Sequence, residues 1–304
     1  MWRDPATPSG NARGEAATSV AVTLPGALLP PEIARAAETA GVEKTHKDAL
    51  TLFGLAVLGG AFVALGGLFA TVVSAGADGH LAYGVTRLLA GLVFSLGLVL
   101  VVVAGAQLFT SDCLMVMAWA SGRLRLPAML RVWTIVWVGN FVGALGTAGL
   151  VFLSGQYKFG HGKVGEAALY VAAAKSTLPI DEAFFLGILC NVLVCLAAWL
   201  ALSARSVSDK ILAVMLPVSA FVAAGFEHCV ADMYFMPLGL MILNGAPASF
   251  WADIGHAASA SAPIPLAGFL ANLVAVTFGN WVGGALFVGG TYWILYRRKE
   301  ATGH

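Results

Sequence analysis

Charge is what this sequence has least of. Only 11% of its 304 residues are Asp, Glu, Lys or Arg, against 59% hydrophobic residues. A soluble domain carries roughly 25% charged residues, so this chain cannot cover a water-facing surface of its size. A mean hydropathy of +0.84 points to lipid as the solvent. The formal net charge is +1, which removes any global electrostatic case for nucleic acid. Cysteine is scarce as well. Cys113, Cys190, Cys195 and Cys229 lie in apolar runs without metal-type pair spacing, and read as small core hydrophobes. A Walker motif, a metal cluster and a nucleophile–base–acid set are all missing, so an enzyme is not expected, nor a cofactor or metal.

What is present is a set of long apolar runs. A spanning helix needs ~20 mostly apolar residues. Six such regions cover roughly residues 49–74, 85–120, 127–154, 182–204, 209–243 and 263–296. The second, fifth and sixth exceed one bilayer crossing, which tilt or a break would explain. Six spans place both termini on one side. The other side holds only Arg87, Lys158, Lys163 and Lys175, so the termini are predicted to be cytoplasmic.

Residues 1–29 are rich in Pro, Gly, Ala and Ser and read as a disordered cytoplasmic tail. The apolar stretch Ala16–Leu29 contains Pro25 and follows Glu15, which makes a poor signal peptide. Residues 30–48 have helical spacing and mixed charge, and read as an amphipathic helix on the membrane surface. The membrane domain is placed at 49–298, with a short cytoplasmic tail at 299–304.

Gly139-Asn140-Phe141-Val142-Gly143 in the third span recurs as Gly279-Asn280-Trp281-Val282-Gly283 in the sixth. This divides the chain into repeats of three spans, 49–154 and 182–296. Three is odd, so the repeats are inverted, as in many channels and transporters with a midplane pathway. The glycines also suit ordinary helix packing. The second and fifth spans, equivalent in the two halves, both carry polar residues at mid-depth: Gln107, Thr110, Ser111 and Asp112 in one, Glu227, His228 and Asp232 in the other. Polar groups at that depth are costly, and unwound backbone there must line protein or a cavity. Both helices are therefore expected to break. A half-helix starting near Ser111 would aim free N–H groups at an anion, with Asp112 and Asp232 read as caps.

His228 is the only one of the six histidines deep in a span. Its charge can change near neutral pH, and a bound anion would favour its protonation. It could then hold the anion or pass it a proton, so that a neutral acid crosses. A single deep histidine argues against a bis-histidine haem anchor and against a paired-histidine ammonia pore. Glu227 is read as fixing the broken loop, since a carboxylate in an anion path would repel.

Several motifs occur in order across roughly residues 30–298: Gln107-Leu-Phe-Thr-Ser-Asp112 with Ala120-Ser-Gly-Arg123, Gly187-Ile-Leu-Cys-Asn191-Val-Leu-Val-Cys-Leu196, Leu216-Pro-Val218, Phe221-Val-Ala-Ala-Gly-Phe-Glu-His228, Asn272-Leu-Val-Ala-Val-Thr-Phe-Gly-Asn280 and Tyr292-Trp293. Together they resemble the formate/nitrite transporter family, closest to its bacterial formate channel branch. The resemblance implies an aquaporin-like protomer, a homopentamer in the lipid of the inner membrane, and one pore per protomer. The pore would carry formate with protons, or alternatively nitrite or hydrosulfide. It also implies a His228–Thr110 pair at the pore midpoint. Apolar constrictions would fall at Phe94 and Phe221 on the periplasmic side and at Leu98, Phe109 and Val194 on the cytoplasmic side. Lys175 would be a vestibule charge, and Asn191, Asn272 and Glu227 polar lining.

Overall fold

The computed structural model describes residues 26–77, 80–255, 258 and 261–301. Most of the expected tail (1–25), and 302–304 at the other end, lie outside the described residues. Among the described residues there is no strand; every regular element is helical.

The chain opens with α1 (Pro30–Thr45) and α2 (Ala49–Ser74). Next come α3 (Tyr83–Gly105) and α4 (Phe109–Ala120), then α5 (Leu126–Leu153), α6 (Lys163–Ser176) and α7 (Ile180–Ser203). The chain continues as α8 (Val207–Ala223), α9 (Cys229–Gly245), α10 (Ala248–Ile254), α11 (Leu266–Tyr296) and α12 (Arg298–Ala301). Helices α2, α3, α5, α7 and α11 are each long and apolar enough to cross a membrane. Helices α8 and α9 have 17 residues apiece and form the fifth span in two halves. The result is an all-helical membrane fold of two three-span repeats, with the second and fifth spans broken.

Glycine permits both breaks. Helix α3 ends in a π-helical turn, Val101–Gly105. Gly105 (φ 86°) and Gly225 (φ 77°) take left-handed backbone where the two helices stop, a region that costs other residues steric strain. Helix α2 packs on α5 in the first repeat, and α7 on α11 in the second. A Cβ at Gly143 would collide with the carbonyl oxygen of Val57, and one at Gly283 with that of Ile188. The glycines of the repeated motif are thus where backbones meet.

Three parts of the structure depart from expectation. Helix α1, expected on the membrane surface, docks on protein: Ile33, Ala34, Ala37, Glu38 and Gly41 are buried. Glu38, fully buried, pairs with Arg123 (3.2 Å) and Arg297 (3.0 Å) and accepts from Ser121 Oγ (2.6 Å). Arg35 pairs with Glu300 of α12 at 2.7 Å. Within the expected tail, Gly26 and Leu28 offer carbonyls to Arg205 and Ser203, so residues 26–29 are fastened to the end of α7. The stretch left without an element between residues 154 and 182 contains α6. Its surface is mixed, so no apolar run marked it. Its last turn carries Lys175.

Candidate anion pathway

The two breaks are held by matching side chains. Asn140 Oδ1 accepts the Phe109 N–H at 2.9 Å, and its Nδ2 donates to the carbonyls of Ala56 (2.7 Å) and Gln107 (2.9 Å). Asn280 Oδ1 accepts the Cys229 N–H at 2.9 Å, and its Nδ2 donates to the carbonyls of Gly187 (2.8 Å) and Glu227 (3.0 Å). The extended backbone is pinned alike: Gln107 N–H donates to Leu55 O (3.0 Å) and Glu227 N–H to Leu186 O (3.4 Å). Buried backbone groups need partners of this kind. The first half-helix begins at Phe109, two residues earlier than expected. The first N–H of each half-helix is already taken by asparagine, so these two are not free for an anion.

This correspondence places Gln107 opposite Glu227, Leu108 opposite His228, and Asp112 opposite Asp232. His228 caps α9: its Nδ1 accepts the Ala231 N–H at 3.2 Å. That bond needs the Nδ1 lone pair, so in the neutral ring the proton sits on Nε2. Nε2 lies 3.1 Å from Thr110 Oγ1 and donates to it, which leaves the hydroxyl hydrogen free to point elsewhere. The Thr110 carbonyl is held by Asn191 Nδ2 (3.1 Å) and the Cys195 thiol (3.3 Å).

A cavity of about 10 Å³ lies against His228, lined also by Val63, Phe94, Leu98, Leu108, Val194, Val218 and Phe221. That is room for roughly one water. The Phe221 ring stacks on the imidazole at 5.9 Å and meets Phe94 edge-on at 5.8 Å. Phe94, Leu98, Val194 and Phe221 thus lie against one small apolar cavity together with His228. Phe109 is buried but does not line this cavity. Val63, Leu108 and Val218 do, and sequence reasoning missed them. Leu108 could have been found as the repeat partner of His228.

The remaining polar residues are placed differently from expectation. Lys175 is not a bare vestibule cation: its Nζ lies 2.8 Å from Glu227 Oε1 and 2.8 Å from Asp232 Oδ1. Asn272 Nδ2 donates to the Lys175 carbonyl (3.0 Å) and to Glu227 Oε2 (3.5 Å). Asn191 is a fully buried strut that also donates to Asn280 O at 2.6 Å, and does not line an open path. Asp112 and Asp232 make no capping bond. Asp112 pairs with Lys44 of α1, and Asp232 with Lys175. Both aspartates are fully buried, and an unpaired charge there would be far costlier than an uncapped helix.

The comparisons with known proteins agree with this architecture. The family model for formate/nitrite transporters matches residues 31–294. The chain is 42% identical over 274 residues to "Formate channel FocA" of Escherichia coli K12, covering 90% of this chain and 96% of that one. It is 36% identical over 260 residues to the "Probable formate transporter" of Methanothermobacter thermautotrophicus, covering 81% and 88%. Among solved structures it resembles a pentameric formate channel with formate bound, at TM-score 0.77 and 42% identity, covering 82% of this chain and 97% of that one. An FNT family ion channel matches at TM-score 0.73 and 28% identity, covering 87% and 98%. The chain belongs to the formate/nitrite transporter family.

Proposed function

We propose that this protein carries formate across the bacterial inner membrane, with both termini cytoplasmic, one pathway in each protomer of a homopentamer, and protonation of the anion at His228. The observation that carries the reading is the Thr110–His228 hydrogen bond facing a closed apolar constriction. A bare anion crosses such a slit at high cost, whereas a neutral acid crosses it cheaply.

The bonding around the imidazole sets the proton path. The resting ring donates Nε2–H to Thr110 and accepts from Ala231 at Nδ1. An arriving anion favours the imidazolium, which releases the Ala231 N–H as Nδ1 takes a proton from water. The Nε2 proton then passes through the Thr110 hydroxyl to the anion, leaving a neutral acid and a ring protonated at Nδ1. Reprotonation at Nε2 and loss from Nδ1 restore the cap on α9. The neutral acid crosses and ionises in the water beyond.

Substrate identity is tested by uptake into proteoliposomes, comparing formate with nitrite and hydrosulfide. Formate uptake well above the other two supports the reading. Preferential uptake of nitrite or hydrosulfide keeps the pathway and moves the cargo, and uptake of none of them overturns the function.

A further inference from the structure

The breaks are alike in backbone but not in charge. On the face of the termini, Lys44 pairs with the single carboxylate of Asp112, and the residue matching Glu227 is the neutral Gln107. On the opposite face, Lys175 stands between two carboxylates, Glu227 and Asp232. The first cluster is neutral with every group ionised; the second carries a net negative charge. Asp232 is fully buried and Glu227 nearly so, 5% exposed. Neither Asp232 oxygen makes a well-aligned hydrogen bond, nor does Oδ1 of Asn272, whose amide donates to Glu227; Asp112 Oδ2 and Gln107 Oε1 on the other face are likewise without one, so it is the extra carboxylate that sets the two clusters apart. The cluster is thus short of hydrogen-bond donors as well as positive charge.

We infer that Glu227 and Asp232 share one proton beside Lys175, and that this proton keeps the entrance opposite the termini free of net negative charge. The inference deepens the reading above by assigning that pathway an electrostatic control. Two carboxylates on one site resist double ionisation, and one ammonium cancels only one of them. A proton between them supplies both the missing charge and the missing donor. The other titratable groups facing Asp232 are the Cys190 thiol on α7 and the Cys229 thiol on its own helix, and the His228 imidazole faces Lys175. As pH rises the shared proton leaves to water, the cluster becomes negative, and an approaching anion is repelled.

The test is infrared spectroscopy of the full-length, substrate-free protein in lipid at neutral pH. The wild type is expected to show a carboxylic acid C=O stretch. That band is expected to vanish in both Asp232→Asn and Glu227→Gln, because a single carboxylate left with Lys175 ionises, and to persist in Asp112→Asn. Absence of the band from the wild type overturns the proposal without any variant, and its persistence in Asp232→Asn or Glu227→Gln overturns it equally. The same liposomes report anion uptake at alkaline pH. Above the range in which imidazole titrates, wild-type uptake should fall further as pH rises, and this alkaline fall should be lost in Asp232→Asn, whose cluster stays neutral; an unchanged alkaline fall contradicts the proposal. The spectrum needs no substrate, so a protein that carries no formate but shows the band separates failure of the transport reading from failure of this one.

Discussion

Asn140 and Asn280 hold the two broken helices with the same three hydrogen bonds: one accepted from the first N–H of a half-helix, and two donated to carbonyls. All three backbone partners of each asparagine belong to buried residues, where no bulk water can replace a lost bond. A buried polar group left unpaired costs about 1–3 kcal/mol. Asn280→Ala and Asn140→Ala are therefore each expected to lower stability by several kcal/mol and by similar amounts. Thermal unfolding of the detergent-solubilised protein measures this, and a harmless substitution at either site would contradict the account.

The glycines of the same motif make a sharper prediction. A Cβ at Gly143 or Gly283 meets a backbone carbonyl that no rotamer change can move aside. Gly143→Ala and Gly283→Ala should each separate a pair of packed helices at a cost of about 1–3 kcal/mol or more. Ala at Gly146, where a Cβ would meet nothing within 4 Å, should be neutral in the same unfolding measurement.

Thr110 matters for its hydroxyl. Thr110→Ser keeps the group between Nε2 and the anion, and should retain most of the uptake. Thr110→Val keeps the volume and removes the relay, and should lower uptake roughly tenfold or more, the equivalent of one hydrogen bond of about 1.4 kcal/mol. Equal rates for the two variants in proteoliposomes would remove Thr110 from the proton path.

The clasp around α1 is open to proteolysis. Removing one partner from a buried ion pair costs about 3–5 kcal/mol, less here because Arg123 is partly exposed. Glu38→Ala is expected to loosen α1 and expose Arg35 and Lys44 to trypsin. Acid should act on the same clasp through Glu300, whose carboxyl is held below its ordinary value of 4.5 by hydrogen bonds from Arg35 and Arg297. A lowered folded-state pKa means the contact contributes above that ordinary value and is lost as pH falls through the lowered one. Cleavage within α1 should therefore rise on the acid side of the carboxylate range, and not near neutrality.

Much of this was legible in the chain because lipid enforces simple patterns. Long apolar runs mark the spans, and the polar residues at 107–112 and 227–232 stand out against them. His228 meets Thr110 through a hydrogen bond and shares a cavity with Phe94, Leu98, Val194 and Phe221, all residues that the sequence singles out. What escaped was pairing over distance. Asp112 and Asp232 read as caps because Lys44 and Lys175 lie far away in sequence, and only the folded chain brings each pair together. Asn191 read as pore lining because a polar residue on an apolar helix does not disclose whether it faces a path or a neighbouring carbonyl. Helix α6 went unseen because a short helix of mixed surface carries no hydropathy signal. Asn140 and Asn280 were visible as a repeat, but their work on the two breaks was not.

The most direct test of the central claim is the pH dependence of formate uptake into proteoliposomes by the wild type and by His228→Asn, a side chain that can still form hydrogen bonds but cannot take up a proton. The account predicts that wild-type uptake rises as external pH falls toward the range where imidazole is protonated, and that the variant loses this rise while still assembling. A variant with the wild-type pH profile would contradict protonation at His228.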